Sequence, residues 1–249
     1  MTSDQKHVVS FRGNYQQDLT GAAAWLPDTP PTNFWSHPLG LAATHTWLLS
    51  SNMTNRFSYG LTRLAYSSQG DSSDPSITFR SVFSPRAFAR GVNRTNPTQN
   101  FTDDFTWIKG NHTLQFGTNI RLIANTRENF ATSFDSAITN FSWSPTNIAS
   151  TAIGQYLTAQ VGSPRSVQSS WRTNVQHALV ALFGRLNDYT ANVNYNLAGQ
   201  ILPANEGIKR TFKTEEYDFY IQDSWKVRQN LTVNLGLRYG ISMPVYEAN

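Results

Sequence analysis

FKTEEYDFYIQDSWKVRQNLTVNLGLRYG, residues Phe212 to Gly240, is the stretch whose reading decides the fold. Its first half sets Tyr217, Phe219, Ile221 and Trp225 on one parity and Glu216, Asp218, Tyr220, Gln222 and Ser224 on the other. That is the period of a β-strand with one apolar and one polar face. The second half repeats it, with Leu231, Val233, Leu235, Leu237 and Tyr239 on one side and Thr232, Asn234, Gly236, Arg238 and Gly240 on the other. Lys226 to Asn230 between them is short, polar and turn-like, so the stretch predicts a hairpin. Parity restricts the register, because a slip by one residue would turn every apolar side chain to the wrong face. Trp225 opposite Leu231 places Asp218 across from Arg238 and Tyr220 across from Gly236; a two-residue slip places Glu216 across from Arg238. Either way an acid faces Arg238, and in the first register an aromatic covers a strand glycine.

Each strand holds about ten alternating residues, more than the usual five or six of a soluble strand and close to what a tilted strand needs to cross a bilayer. Trp225 and Tyr239 stand at opposite ends of their apolar rows, where aromatic girdles lie in transmembrane barrels. Outward from this hairpin the pattern recurs. His7 to Gln16 alternates Val9, Phe11 and Tyr15 with Ser10, Arg12, Asn14 and Gln16. Leu41, Ala43, His45, Trp47 and Leu49 lead into the polar turn SSNMTN and on to Phe57, Tyr59 and Leu61. Phe105 and Trp107 precede a Lys109, Gly110, Asn111 turn, after which Leu114, Phe116, Thr118, Ile120 and Leu122 alternate with Gln115, Gly117, Asn119 and Arg121. Three hairpins thus share one plan, with short turns at one end and long connections at the other, the asymmetry of outer-membrane barrels with short periplasmic turns and long extracellular loops.

The connections read differently. Residues 17–40, with Pro27, Pro30, Pro31 and Pro38, predict a loop. Another is expected over 67–96, with room for a strand at Ile77 to Ser84. Ile148, Ala152, Tyr156 and Leu157 have helical spacing, stopped by Gly162 and Pro164. Val175 to Phe183 fits a short helix or an apolar strand, and Gly184 to Leu197 predicts a strand. Asp103 and Asp223 fall on the apolar parity close to Trp107 and Trp225, where a charge costs little compared with mid-bilayer.

YDFYIQDSWKVRQNLTVNLGLRYG with the trailing SMPVYEAN, together with FTWIKGNHTLQFGTNIR, resembles the β-barrel of TonB-dependent outer-membrane receptors, in particular the Oar-like group. The resemblance spans most of residues 41–127 and 184–249. It implies an importer or surface receptor of the outer membrane, with a plug inside a barrel of about 22 strands. It also implies outer-membrane lipid, a TonB-type energising complex acting through the plug, and an unidentified ligand as partners. With about nine strand candidates and no plug, TonB-contacting segment or signal peptide in view, residues 1–249 read as a partial barrel.

The fold class expected is therefore all-β, an antiparallel transmembrane barrel segment. Lumen-facing candidates are Arg121, Arg127, Glu216, Asp218 and Arg238, where side chains tune what a pore admits or simply pair across strands. Lipid-facing or girdle candidates are Trp107, Phe116, Phe219, Ile221, Trp225, Leu235, Leu237 and Tyr239. An Arg at Leu235 is expected to impair assembly and one at Asn234 to be tolerated.

Composition agrees with this class. The chain is polar without being charged, 39% hydrophobic and 14% charged, while 13% aromatic content and a net charge of +4 disfavour disorder. No run of about 18 apolar residues could form a membrane helix. With no cysteine there is neither a disulfide scaffold nor a thiolate site. His7, His37, His45, His112 and His177 lack metal-ligand spacing, and no nucleophile elbow, phosphate loop or dinucleotide fingerprint occurs. No catalytic, cofactor or metal site is expected, and the scattered Lys and Arg do not suggest nucleic acid. The Asn-x-Ser/Thr triplets at Asn52, Asn93, Asn100, Asn111, Asn140 and Asn230 follow from the Asn- and Thr-rich composition. A competing reading is a secreted, soluble β-rich module binding carbohydrate or another ligand through Trp25, Trp35 and Trp143. It requires the apolar rows to be buried against a second sheet.

Overall fold

The structure, a computed structural model, describes residues 6–22, 32–69, 75–82, 91–142 and 148–248. Strands β1 (His7–Tyr15), β2 (Asp18–Gly21), β3 (Asn33–Ser36), β4 (Leu39–Ser50), β5 (Met53–Gln69) and β6 (Ser76–Thr78) come first. Then follow β7 (Val92–Lys109), β8 (His112–Asn129), β9 (Ser136–Ile138), helices α1 (Ile148–Val161) and α2 (Arg172–Leu182), β10 (Asp188–Thr190), β11 (Ile208–Arg228), β12 (Leu231–Ser242) and β13 (Tyr246–Glu247). Seven of these pair antiparallel in the order β1-β4-β5-β7-β8-β11-β12 and form an open, single-layer wall. The helices and a small sheet of β10, β9 and β6 form a cap beyond the ends of β7, β8 and β11 that lie away from the turns.

The wall's turns are tighter than the sequence suggests. They contain two residues each, Ser51–Asn52, Gly110–Asn111 and Gln229–Asn230. Gly110 has φ +59, which the mirror-image hairpin turns require at that place. Backbone bonds lace the turns to their neighbours: Ile108 N–H donates to Asn52 O at 2.8 Å and Lys226 N–H to Asn111 O at 2.8 Å.

The register of the last hairpin is neither of the two expected. Phe219 faces Tyr239, Tyr220 faces Arg238 and Asp218 faces Gly240. Parity holds, but Lys226 and Arg228 stay in the strand and an irregularity between them absorbs one residue, so the strands slide two residues further. The acid near Arg238 is a diagonal neighbour. Tyr220 does cover a strand glycine, but on the other neighbour, β8, where it faces Gly117.

Strands are also longer than expected: β5 has 17 residues, β7 and β8 have 18 and β11 has 21. The apolar rows mark only their turn-proximal part, so alternation of hydrophobicity misses polar continuations such as Lys209, Arg210 and Lys213. The loop expected over 17–40 is instead, where described, the upper part of two broken strands. β2 and β3 continue the lines of β1 and β4, pairing with each other and, for β3, with β5. The break in the second line falls at His37–Pro38, as proline supplies no N–H to a ladder. Pro244 separates β12 from β13 in the same way, and β13 still pairs with β11. Pro97 interrupts the β7–β8 ladder opposite Arg63. The 67–96 connection shrinks because β5 runs to Gln69 and β7 begins at Val92; of the strand expected over Ile77–Ser84, whose last two residues lie outside the described residues, only the part in β6 is strand among the described ones.

The helix expected from Ile148 is α1, and the segment from Val175 resolves as helix, not strand. Gly184 to Leu197 is corrected: only β10 is strand there, with an isolated bridge from Tyr195 to Ile201. In place of a ladder, bonds made by side chains tie Asn192, Asn194 and the neighbouring Glu206 to the loop that follows β8. Thr132 Oγ1 donates to Asn194 Oδ1 at 2.6 Å, Ser133 Oγ to Glu206 O at 2.6 Å and Asn192 N–H to Asp135 Oδ1 at 2.8 Å. Inside the cap lie Phe134, Ala137, Ala149 and Val180, four of the five buried apolar side chains among the described residues. The buried Gln176 side-chain Oε1 accepts from Ala149 N–H at 3.0 Å, satisfying an orphan donor at the start of α1.

Candidate functional site

Strand register converts parity into two continuous faces. One carries Phe11, Leu41, Phe57, Phe101, Phe105, Trp107, Phe116, Ile120, Phe219, Ile221, Trp225, Leu235, Leu237 and Tyr239, reading across all seven strands. Every side chain read from the sequence as a lipid-facing or girdle candidate lies on it. Its aromatics touch one another, with Phe105 and Phe116 stacked at 5.0 Å between centroids and Tyr59 against Phe101 at 5.0 Å. Leu237 is 71% exposed and Phe11 76%, so among the described residues nothing covers this face. The second sheet that the soluble reading needs is absent there: the three-stranded sheet belongs to the cap.

Near the turns this face gains polar pairs beside its tryptophans. Asp223 Oδ2 lies 2.6 Å from His112 Nδ1, and the His112 ring stacks on Trp225 at 5.4 Å. Asn55 Nδ2 donates to Asp103 Oδ1 at 2.7 Å. Both acids that break the apolar parity therefore have partners. Those partners come from strands distant in sequence, so hairpin patterns alone did not reveal them.

The opposite face carries Arg121, Arg127, Glu216, Asp218 and Arg238 together. Arg121 stands directly across from Glu216, its Nε donating to Oε2 at 2.8 Å while Nη2 closes on the same oxygen. Arg238 Nη2 approaches Asp218 Oδ1 at 3.3 Å along the diagonal. Gln222 donates from its amide to Gln115. Arg127 joins none of these pairs. A residue whose partner pattern reading misplaced is Tyr220, which spans three strands: it leans from β11 across Gly117 on β8, and its hydroxyl donates to Asp104 Oδ1 on β7 at 2.7 Å. A Cβ at position 117 would lie 2.7 Å from Tyr220 Cε1 and 2.6 Å from Asp103 O, so only glycine admits this bridge. An aromatic paired with a polar-face glycine was the available signal, assigned to the wrong neighbouring strand.

At the cap end, Trp35 lies in β3 and stacks on His37 at 4.0 Å, whereas Trp25 and Trp143 lie outside the described residues. A concavity of about 1020 Å³ opens there beside the wall, lined by Asn192, Asn194, Tyr195, Glu206, Arg210 and Glu247 among others. The Asp135 carboxyl is held below its usual range by the Tyr189 hydroxyl and then by the Asn192 N–H, and the same contact pushes the Tyr189 phenol up. Burial pushes the His177 imidazole down, and Arg80 adds to the effect. Among the described residues no three His, Asp or Glu side chains gather as a metal site.

A family model described as an outer membrane beta barrel domain matches residues 2–249. No curated protein sequence matches the chain. Among solved structures the chain is similar to the outer membrane transporter YddB from Escherichia coli, with 11% sequence identity and a TM-score of 0.52. The alignment covers 97% of this chain and 26% of that one, so the chain spans about a quarter of the transporter's length.

Proposed function

Because the chain belongs to the outer membrane beta barrel domain family, and with it to the outer membrane, we propose that it is a section of the wall of a TonB-dependent receptor of the Oar-like kind, serving ligand import or capture and not catalysis. The observation that carries the reading is the single-layer wall whose one face is continuously apolar and uncovered while the other is polar and cross-paired. In water such a sheet would leave all that apolar area hydrated; in a bilayer the apolar face meets lipid and the polar face lines a lumen. Dimensions agree. Trp225 to Glu215 spans about 33 Å of strand at ~3.3 Å per residue, or about 25 Å of height at the usual barrel tilt, close to the apolar band of such barrels. On this reading the two-residue turns are periplasmic and the cap is extracellular. Arg121, Arg127, Glu216, Asp218 and Arg238 face the lumen, and Trp107, Phe116, Phe219, Ile221, Trp225, Leu235, Leu237 and Tyr239 face lipid or its interface. A plug and a TonB-type energising complex are the partners the resemblance supplies.

Residues 1–249 contain no cysteine, so reporters placed there are single once any cysteine elsewhere in the full-length protein is replaced. In the full-length protein reconstituted in vesicles, Asn234→Cys and Arg238→Cys should react with a water-soluble maleimide. A lipid-soluble quencher should reach fluorophores at Leu235→Cys and Leu237→Cys. Equal labelling on both parities would sink the wall, and intact alternation with import indifferent to loss of TonB would sink the energised mechanism alone.

A further inference from the structure

At the cap end of the polar face, three arginines stand in one cross-strand row. Arg94 on β7 faces Arg127 on β8, and Arg127 faces Arg210 on β11. Directly opposed residues have Cβ atoms about 5 Å apart, and like charges so placed destabilise a sheet. Lower on the same face each arginine discussed above is matched to an acid, Arg121 to Glu216 and Arg238 to Asp218. In the upper row only Arg210 is: its Nε and Nη2 donate to Glu247 Oε1 and Oε2 at 2.7 and 2.6 Å. Among the described residues Arg94 and Arg127 have no acid partner, and Arg94 Nε is shut off from solvent with nothing to donate to. One row closer to the turns, on the same face, Asn96 and Asn125 have side-chain oxygens that are equally enclosed and unpaired. The row ends at the concavity that Arg210, Glu247 and Glu206 help to line, so it is reached from the cap side.

Unmatched guanidinium forks side by side form a receptor for planar or tetrahedral oxyanions, which each fork can bind through two parallel hydrogen bonds. We propose that Arg94 and Arg127, flanked by Arg210, form an oxyanion-binding rung on the inner wall at the mouth, selecting small ligands with two or more carboxylate or phosphate groups. The inference rests on the lumenal reading of the polar face. The anion supplies the charge that the wall supplies for itself lower down, and Glu247 keeps Arg210 from adding a third uncompensated charge to the row.

The test is calorimetric titration of the full-length protein in detergent at low ionic strength with citrate and, separately, pyrophosphate, using acetate as the monovalent control. Saturable binding of one or both multivalent probes is expected, the stronger of the two naming the ligand chemistry. Arg127→Ala and Arg94→Ala should each weaken it about tenfold, the loss of one charge-assisted fork, while Arg12→Ala on β1, the same charge change on the same face, should leave it within about twofold. Arg127→Gln should also raise the unliganded melting temperature by relieving repulsion, where loss of a merely structural arginine would lower it. Absence of saturable binding by the wild type, equal weakening by Arg12→Ala, or a lower melting temperature for Arg127→Gln overturns the rung. Failure of the wall reading would show in the cysteine labelling pattern instead, which this titration does not depend on.

Discussion

The wall and the cap bury their apolar side chains by opposite rules. In the wall, Leu237 is 71% exposed and Leu235 61%, and the polar face holds the paired charges. In the cap, Val180 is 0% exposed, and Gln176, Thr139 and Asn194 are buried with it as members of a hydrogen-bonded interior. On the proposed reading the cap faces water and must make its own interior, whereas the wall borrows its apolar surroundings from lipid. One consequence is that exposure has no fixed meaning along this chain. On that reading an exposed Leu deep in the wall resists charge as a buried Val in the cap does, for a different reason.

The largest effect should come from breaking the cap's interior. Val180→Asp places an unpaired carboxylate where no water reaches, a mechanism that costs about 3–5 kcal/mol. Limited proteolysis should then cut the cap within residues 130–207, while the wall keeps the altered gel mobility of an unheated barrel. Collapse of both together would mean that the cap is integral to the wall.

Next is the charge rule of the wall. Leu235 was the position chosen from the sequence, but the register sets it opposite Asp223, one row from Trp225, where an Arg would find an acid near the interface. Leu237, opposite Ile221, lies deeper. Leu237→Arg should cost about 2–4 kcal/mol of membrane stability and Asn234→Arg close to nothing, read as denaturant midpoints of the protein refolded into bilayers. Equal costs would dissolve the distinction between the faces.

The same contrast explains what could be read from the sequence. The division of the wall into two faces was legible because alternation is a local property: each strand declares its own parity, and the candidates read as lipid-facing share one face while those read as lumen-facing share the other. Register was not legible, since Trp225 opposite Leu231 and Trp225 opposite Val233 give identical faces, and a single bulge near Val227 chooses between them. The neighbours across hairpins were equally hidden. Tyr220 with Asp104, Asp223 with His112, and the row of Arg94, Arg127 and Arg210 all depend on which strand pairs with which. Only Arg127 of that row was picked out, and for its parity. The cap was the least legible. Its fold rests on side-chain bonds from Asn192, Asn194, Ser133 and Asp135, which have no period to announce them.

The smallest of the three effects would separate the regions by pH alone. His177 sits inside the cap, its ring edge against Phe141 at 4.7 Å, with Nδ1 unpaired. Burial first and Arg80 second hold its folded pKa below 6.5. An unfolded chain therefore takes up a proton that the folded cap refuses. The cap's stability is complete above about pH 6.5 and declines as pH falls through the window down to the depressed folded value. A second decline starts lower. Asp135, held below 3.8 by Tyr189 and then Asn192, contributes stability that is present above its unfolded pKa and lost as pH falls through the folded one. Hydrogen exchange of the Ala149 amide, bonded to Gln176 beside His177, should accelerate on the first step while amides of β8 stay protected. His177→Gln should remove that step and Asp135→Asn the second. If β8 opened at the same pH as the cap, or if His177→Gln left the first step in place, the cap would not be an independent unit with its own titrating interior.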